Sequence, residues 1–383
     1  MIRQPTTTDA RPPEHEPDGT HVRFRHRRHR TLSGTTAGRP HRAEWADAAK
    51  GVCIILVVLW HVVVKDYLQI DWHIGVPVPG LWGTVGEQFL PLRMPLFFTI
   101  SGVFAANAVQ RPWRVVARSR IAGFLYLYAV WLLIHTAILA AVPDFPTDRA
   151  TSVPGLLEQL TVTPSNLWYL YALALYFTIA KVVRRAPRVL VLAPAATLSA
   201  VAAAGLLATP GNRAGLYQNL IFFLAGLYLR PRIERWAPTA TGRRLALTSG
   251  AYVLALAAMA AAGAQRWFGV WPVVSVVAVA FGITAAARLG RWPALSTRLA
   301  TLGRSTLPIY VIHMPVLALL HRLLLGPVSG LDQVGQGLLV LSYPIVLTGL
   351  VIGASLAIHR GLLAVHARWL FALPEHRRVE AAG

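Results

Sequence analysis

Charge is the first thing this chain is short of. Only 14% of its 383 residues are Asp, Glu, Lys or Arg, where a soluble globular domain carries about a quarter. Acid is scarcer still: 16 Asp and Glu stand against 37 Lys and Arg, a formal net charge of +21. Cys53 is the single cysteine, which excludes an intrachain disulfide and any Cys-based metal cluster. Glycine-rich phosphate loops, His-x-x-x-His pairs and Gly-x-Ser-x-Gly elbows are also missing, and the histidines have no metal-ligand spacing. No resident cofactor or metal is expected. The basic excess would suggest nucleic acid if it lay on one soluble domain, but it falls in short clusters between apolar runs, so no nucleic-acid partner is expected.

Apolar sequence is what the chain has instead. Hydrophobic residues make up 55% of it, and the mean hydropathy is +0.50. Apolar runs fall at about 47–66, 88–108, 120–141, 166–183, 189–208, 215–229, 245–264, 270–287, 305–325 and 337–358. Most approach the roughly 20 residues a helix needs to cross the hydrocarbon, and the sixth is short. Open strands are excluded, because unpaired backbone groups in lipid cost several kcal/mol each. The expected fold is therefore an all-α integral membrane protein with about ten transmembrane helices in one bundle.

The connecting loops set its orientation. Arg111, Arg114, Arg118 and Arg120 crowd the second loop, and the fourth, sixth and eighth loops and the C-terminal end are similarly basic. The intervening loops carry about one basic residue each: Lys65, Arg149, Arg213, Arg266 and Arg322. By the positive-inside rule, both termini are expected in the cytoplasm of a multi-pass inner (plasma) membrane protein. Residues 1–45 are polar and too long for a signal peptide; they read as a disordered basic tail with nine arginines. Residues 46–366 are expected to form the transmembrane domain, and 367–383 a cytoplasmic C-terminal tail. No segment offers room for a soluble catalytic domain, so chemistry is expected within the bundle or at its faces.

Ionisable residues inside a span are functional candidates by default. The first span contains Asp47, Lys50 and His61. Asp47 and Lys50 are helix neighbours. Eleven residues separate Lys50 from His61, about 20° past three full turns and about 16 Å along the axis. Asp47, Lys50, Ile54, Val57 and His61 thus form one stripe expected to face the bundle interior. An interfacial Asp47–Lys50 ion pair with a hydrogen-bonded His61 is the plainer alternative. Arg93 opens the second span in Pro91-Leu92-Arg93-Met94-Pro95, at a depth similar to His61. It needs an acidic partner, carbonyl groups or an anionic substrate, or else reaches to the headgroups.

Trp168, in Asn166-Leu167-Trp168-Tyr169, fits an ordinary interfacial belt. In the ninth span Tyr310 and His313 are i, i+3 neighbours between Pro308 and Pro315, whose missing N–H groups free backbone carbonyls. Those carbonyls either line a cavity or belong to a kinked helix with His313 bonded to a neighbour. His135 in the third span reads as structural. The arginines at 111, 114, 118 and 120 follow from topology, and their density also suits a phosphate-rich ligand.

Taken in order, these motifs resemble the acyltransferase 3 family of bacterial integral membrane proteins. The matching pieces are Asp47…Lys50-Gly51…His61, then Pro95-Leu96-Phe97-Phe98…Ser101-Gly102, then Asn166-Leu167-Trp168-Tyr169-Leu170. The last is Leu302-Gly303-Arg304-Ser305-Thr306…Ile309-Tyr310…His313-Met314-Pro315. Together they cover about residues 42–325. The resemblance implies O-acyl transfer, from acetyl-CoA or succinyl-CoA as co-substrate, to a hydroxyl of an extracytoplasmic carbohydrate or glycolipid.

It implies that His61 is catalytic, supported by the basic residue eleven positions earlier. That position is usually Arg and is here Lys50, which keeps the charge and loses the bidentate fork. Asp47 belongs to the same group. Arg93, Tyr310, His313 and Trp168 are the expected oxyanion or acceptor-site residues, and Arg111, Arg114, Arg118 and Arg120 the expected acyl-CoA contacts. A multi-span transporter or flippase is the competing class, though it often shows two related halves and none match here. A non-catalytic membrane partner of a cell-envelope assembly is the third.

Overall fold

The computed structural model describes residues 44–75 and 77–374. The expected basic tail lies outside the described residues except for Glu44 and Trp45, as do residues 375–383 of the expected C-terminal tail. Among the described residues every regular element is helical. The first third of the chain forms α1 (Glu44–Lys65), α2 (Val78–Gln88), α3 (Leu90–Ala108), α4 (Trp113–Val116), a π-helical turn (Ala117–Ala122) and α5 (Gly123–Ala140). Next come α6 (Val153–Thr161), α7 (Trp168–Val183), α8 (Arg188–Ala203), α9 (Ala214–Gln218), α10 (Leu220–Tyr228), α11 (Arg230–Trp236) and α12 (Gly242–Ala261). The chain finishes with α13 (Val270–Leu289), α14 (Pro293–Arg304), α15 (Thr306–Ser329), α16 (Gln333–Leu339) and α17 (Tyr343–Ala364).

The expected apolar runs are largely helical, but among the described residues seven rather than ten helical stretches are long and apolar enough to cross a membrane. Three runs fall short: Trp168–Val183, Arg188–Ala203 and Ala214–Tyr228. Helices α7 and α8 have 16 residues each, about 24 Å against a hydrocarbon core of about 30 Å. Local sequence ends them. Pro187 precedes α8, Gly205 follows it at a positive φ of 72°, and the helical run after it breaks at Asn219.

Helix α1 has Glu44 and Asp47 in its first turn and Lys65 in its last, the arrangement the helix dipole favours. Amphipathic α6 is capped by Ser152, whose Oγ accepts from the Gly155 amide at 3.2 Å. Burial separates centre from rim. The cores of α1, α3 and α15 are enclosed, whereas α12 buries only Tyr252 and exposes Leu247, Val253 and Leu254. Such an apolar exterior suits lipid.

Two backbone-to-backbone contacts hold the centre together. Helix α1 crosses α14 where a Cβ on Gly51 would stand 2.1 Å from the Leu299 carbonyl oxygen, and one on Gly303 1.7 Å from that of Asp47. Helix α3 crosses α10 in the same way, with Gly102 against Phe223 and Gly226 against Thr99. Without a hydrophobic drive between helices in lipid, close approach of small residues supplies the packing energy. Gly303→Ala should therefore lower the unfolding temperature of the detergent-solubilised protein, with about 1–3 kcal/mol of overpacking strain. Gly250→Ala, where nothing lies within 4 Å of the added Cβ, should leave that temperature unchanged or raise it slightly; equal effects at both positions would contradict the close-contact account.

Candidate active site

Helices α1, α3, α7 and α15 and three loops enclose a polar cavity of about 290 Å³ at the Lys65 end of α1. His61, Arg93, Trp168 and Tyr310 line it. His313 stands directly behind His61, with His313 Nε2 3.1 Å from His61 Nδ1 and the ring centroids 5.1 Å apart. The proton positions follow from the backbone. His313 Nδ1 lies 2.7 Å from the Tyr310 carbonyl oxygen and 3.2 Å from that of Ile309, and a carbonyl only accepts, so Nδ1 carries the hydrogen. In the neutral ring Nε2 then holds a lone pair and accepts from His61 Nδ1–H, which leaves the lone pair of neutral His61 on Nε2.

Arg93 is buried, with 6% exposure, and its guanidinium lies 4.6 Å over the ring of Trp60. It makes no hydrogen bond or ion pair among the described residues. Tyr310 is held by its hydroxyl, which donates to the Asn166 carbonyl oxygen at 2.9 Å and accepts from the Tyr169 amide at 3.2 Å. Ser101 Oγ donates to the Phe97 carbonyl at 2.8 Å, so at 2.9 Å it accepts from the Tyr169 hydroxyl. The motifs around residues 97–101, 166–170 and 309–313 therefore meet in one hydrogen-bonded frame around His61.

His135 explains how α15 tolerates its proline. Pro315 has no N–H, so the Val311 carbonyl loses its partner within the helix. Nε2 of His135 on α5 donates to that oxygen at 2.8 Å, and Trp131 packs edge-on against its ring. The freed carbonyl thus faces a side chain rather than a cavity.

A second cavity, about 660 Å³, opens where α4 passes through the π turn into α5. Arg114, Arg118 and Arg120 line it together with Phe124, Leu307 and Phe371. Arg111 does not; its carbonyl and that of Val109 accept from the buried Lys181 ammonium. The arginine cavity and the His61 cavity share α15 as a wall, touched by Leu307 on one side and Tyr310 on the other, about 4.5 Å apart along the helix axis.

Asp47 and Lys50 form a third group and line neither of the two cavities. The Asp47 carboxylate lies 4.0 Å from both Lys50 Nζ and the Arg304 guanidinium, and Lys50 stands 5.2 Å over Phe104. The interior stripe on α1 is present, since Asp47, Ile54 and Val57 are buried on it. Sequence reasoning counted Lys65 and Arg213 only as loop charges and missed Asp148, yet all three sit at the mouth of the His61 cavity. Only Arg213 gave a signal, as the one charge between α8 and α9; Asp148 stands between Asp144 and Arg149, and Lys65 beside Asp66. It also missed a buried tie in which Asp66 meets His321 Nδ1 at 2.9 Å and the Tyr343 hydroxyl at 2.8 Å. That tie fixes the end of α1 to α15 and α17.

Among the described residues the protein is all-helical, with seven stretches apolar enough to cross a membrane, a histidine pair and a buried arginine at one cavity and three arginines at another. The chain belongs to the acyltransferase 3 family, whose model, described as an acyltransferase domain, matches residues 43–360. It is also similar to the inner membrane protein YcfT of Escherichia coli (strain K12), 26% identical over 156 residues. That alignment covers 37% of this chain and 44% of the relative, so the chain spans less than half the length of the relative it matches. No solved structure matches the chain significantly.

His135→Leu should destabilise the protein by about 1–3 kcal/mol, the penalty for an orphaned buried acceptor. Adding Pro315→Ala, which returns an amide to the Val311 carbonyl, should recover part of the loss in a double-mutant cycle read by thermal unfolding. Additive losses would sink this account of His135.

Proposed function

We propose that this chain is a membrane O-acyltransferase that moves an acetyl or succinyl group from cytoplasmic acyl-CoA to a hydroxyl of an extracytoplasmic carbohydrate or glycolipid. In this reading the helices make ten crossings, the shorter three extended by flanking residues. Residues 46–366 form the catalytic domain, both termini are cytoplasmic, and the protein resides in the inner (plasma) membrane. Family membership and the similarity to an inner membrane protein of Escherichia coli support that setting.

The observation that carries the proposal is His61 Nδ1 turned onto His313 Nε2 in the cavity that also holds Arg93. His61 Nε2 takes the proton of the acceptor hydroxyl as its oxygen attacks the thioester carbonyl. Arg93 donates to the oxyanion that forms. As the carbon–sulfur bond breaks, His61 Nε2–H returns the proton to the departing thiolate, and the acyl ester is left on the acceptor. His313 has both ring nitrogens engaged, so it orients His61 rather than holding the oxyanion. Tyr310 and Trp168 shape the acceptor side of the cavity.

Arg114, Arg118 and Arg120 bind the phosphates of acyl-CoA, with Arg111 at the edge of that group. The thioester arm then has to pass the turn of α15 between Leu307 and Tyr310. Asp47 and Lys50, joined to Arg304, fix the height of α1 and so position His61.

Purified protein given radiolabelled acetyl-CoA should release CoA thiol and label an acceptor fraction. His61→Ala should reduce the thiol release by about 10²–10⁴-fold while elution on size exclusion stays normal. Near-normal turnover in that variant would sink the assignment, and counterflow of a solute without CoA consumption would favour a transporter.

A further inference from the structure

The mouth of the His61 cavity has more positive charge than the transfer reaction uses. Lys65, Arg93 and Arg213 face it, with Asp148 as the one acid. Arg213 and Asp148 satisfy each other at 2.6 Å, and Arg213 Nε also donates to the Pro164 carbonyl. Asp148 also acts on Lys65, so the cavity holds three cations to one shared acid. Lys65 Nζ donates to the Pro146 carbonyl, a neutral partner, and Arg93 rests on Trp60. Neither has a carboxylate within ion-pair distance among the described residues.

A buried guanidinium without a counter-charge is strongly unfavourable. A transient oxyanion does not relieve this in the resting or substrate-bound state, because it exists only during the reaction. Arg93 has five N–H donors in a fork that matches a carboxylate, and an oxyanion engages only part of that set. The cavity, at about 290 Å³, has room for about one sugar ring. Trp168 adds an aromatic surface and Asn166 a polar one at its wall.

We propose that the His61 cavity holds a carboxylate between Arg93 and Lys65 next to the reacting hydroxyl, and that the acceptor supplies it, making the acceptor an acidic saccharide. The inference rests on the acyl-transfer reading for the identity of the cavity as an acceptor site. A carboxylate can also arrive on the acyl group, as in succinyl-CoA, so the test separates the two sources.

The probes are methyl β-D-glucuronide and methyl β-D-glucoside, which differ at C6 by a carboxylate in place of a hydroxymethyl group. Their affinities for the full chain in nanodiscs are read by calorimetry at low salt, in parallel with KM for acetyl-CoA and succinyl-CoA hydrolysis. The glucuronide should bind at least about tenfold tighter than the glucoside, a single charge-assisted contact being worth that much. Lys65→Gln should remove most of the preference and Lys65→Arg should keep it. Arg93→Gln should also remove it, and the Lys65 pair keeps the test valid if that buried variant does not fold.

Equal affinities, no binding of either glycoside, or a preference that survives in Lys65→Gln would overturn the proposal. A Lys65-dependent preference for succinyl-CoA without any preference for the glucuronide would assign the carboxylate to the acyl group and overturn the acidic acceptor. Glycoside binding needs no turnover, so the glycoside outcomes stand apart from the fate of the hydrolysis assay.

Discussion

A polar atom inside a bilayer has no water to turn to, so each one must find its partner in the protein. Much of the arrangement around His61 follows from that requirement. Pro315 strands the Val311 carbonyl and draws in His135 from α5. His313 satisfies one nitrogen on its own helix and turns the other to His61. Tyr310 bonds the chain at Asn166 and Tyr169, and Tyr169 in turn reaches Ser101. Asp66, buried where α1 ends, is bound by both His321 and Tyr343. Among the described residues Gln159 Oε1, Asn219 Oδ1 and Ser275 Oγ have no hydrogen-bond partner, and neither has the Arg93 guanidinium, which lies in the cavity rather than in the packing.

Much of this was legible in the sequence. Hydropathy located the helices because lipid leaves a polar backbone few alternatives, and the interior stripe on α1 followed from helical period alone. The span count was less legible: α7, α8 and α10 were visible as apolar runs, but where Pro187, Gly205 and Asn219 interrupt the chain is a matter of local geometry. The motif residues were visible too, as separate pieces. Their meeting was not, since it depends on which helices touch.

Glycines decided that. Gly51 with Gly303 brings the start of the ninth-span motif against Asp47, and Gly102 with Gly226 brings α10 against α3. In sequence these are only small residues in apolar helices; their necessity shows once a carbonyl stands where a Cβ would be. The same holds for Asp148 and Arg213, loop charges that become cavity walls only when the loops fold over the end of α1. Helical period also placed Lys50 beside Asp47, and in the fold they lie 4.0 Å apart; the Phe104 ring near its ammonium was not visible in the sequence.

The stretch of α15 between Leu307 and Tyr310 has a further consequence. One cavity reaches it at Leu307 and the other at Tyr310, about one helical turn apart. On the proposed orientation, that turn separates two compartments held at different pH and voltage. Its side chains are thus an insulator as much as a passage: the barrier must yield to a slender thioester arm and still refuse protons, which favours bulky, anchored groups such as the doubly bonded Tyr310 over small or mobile ones.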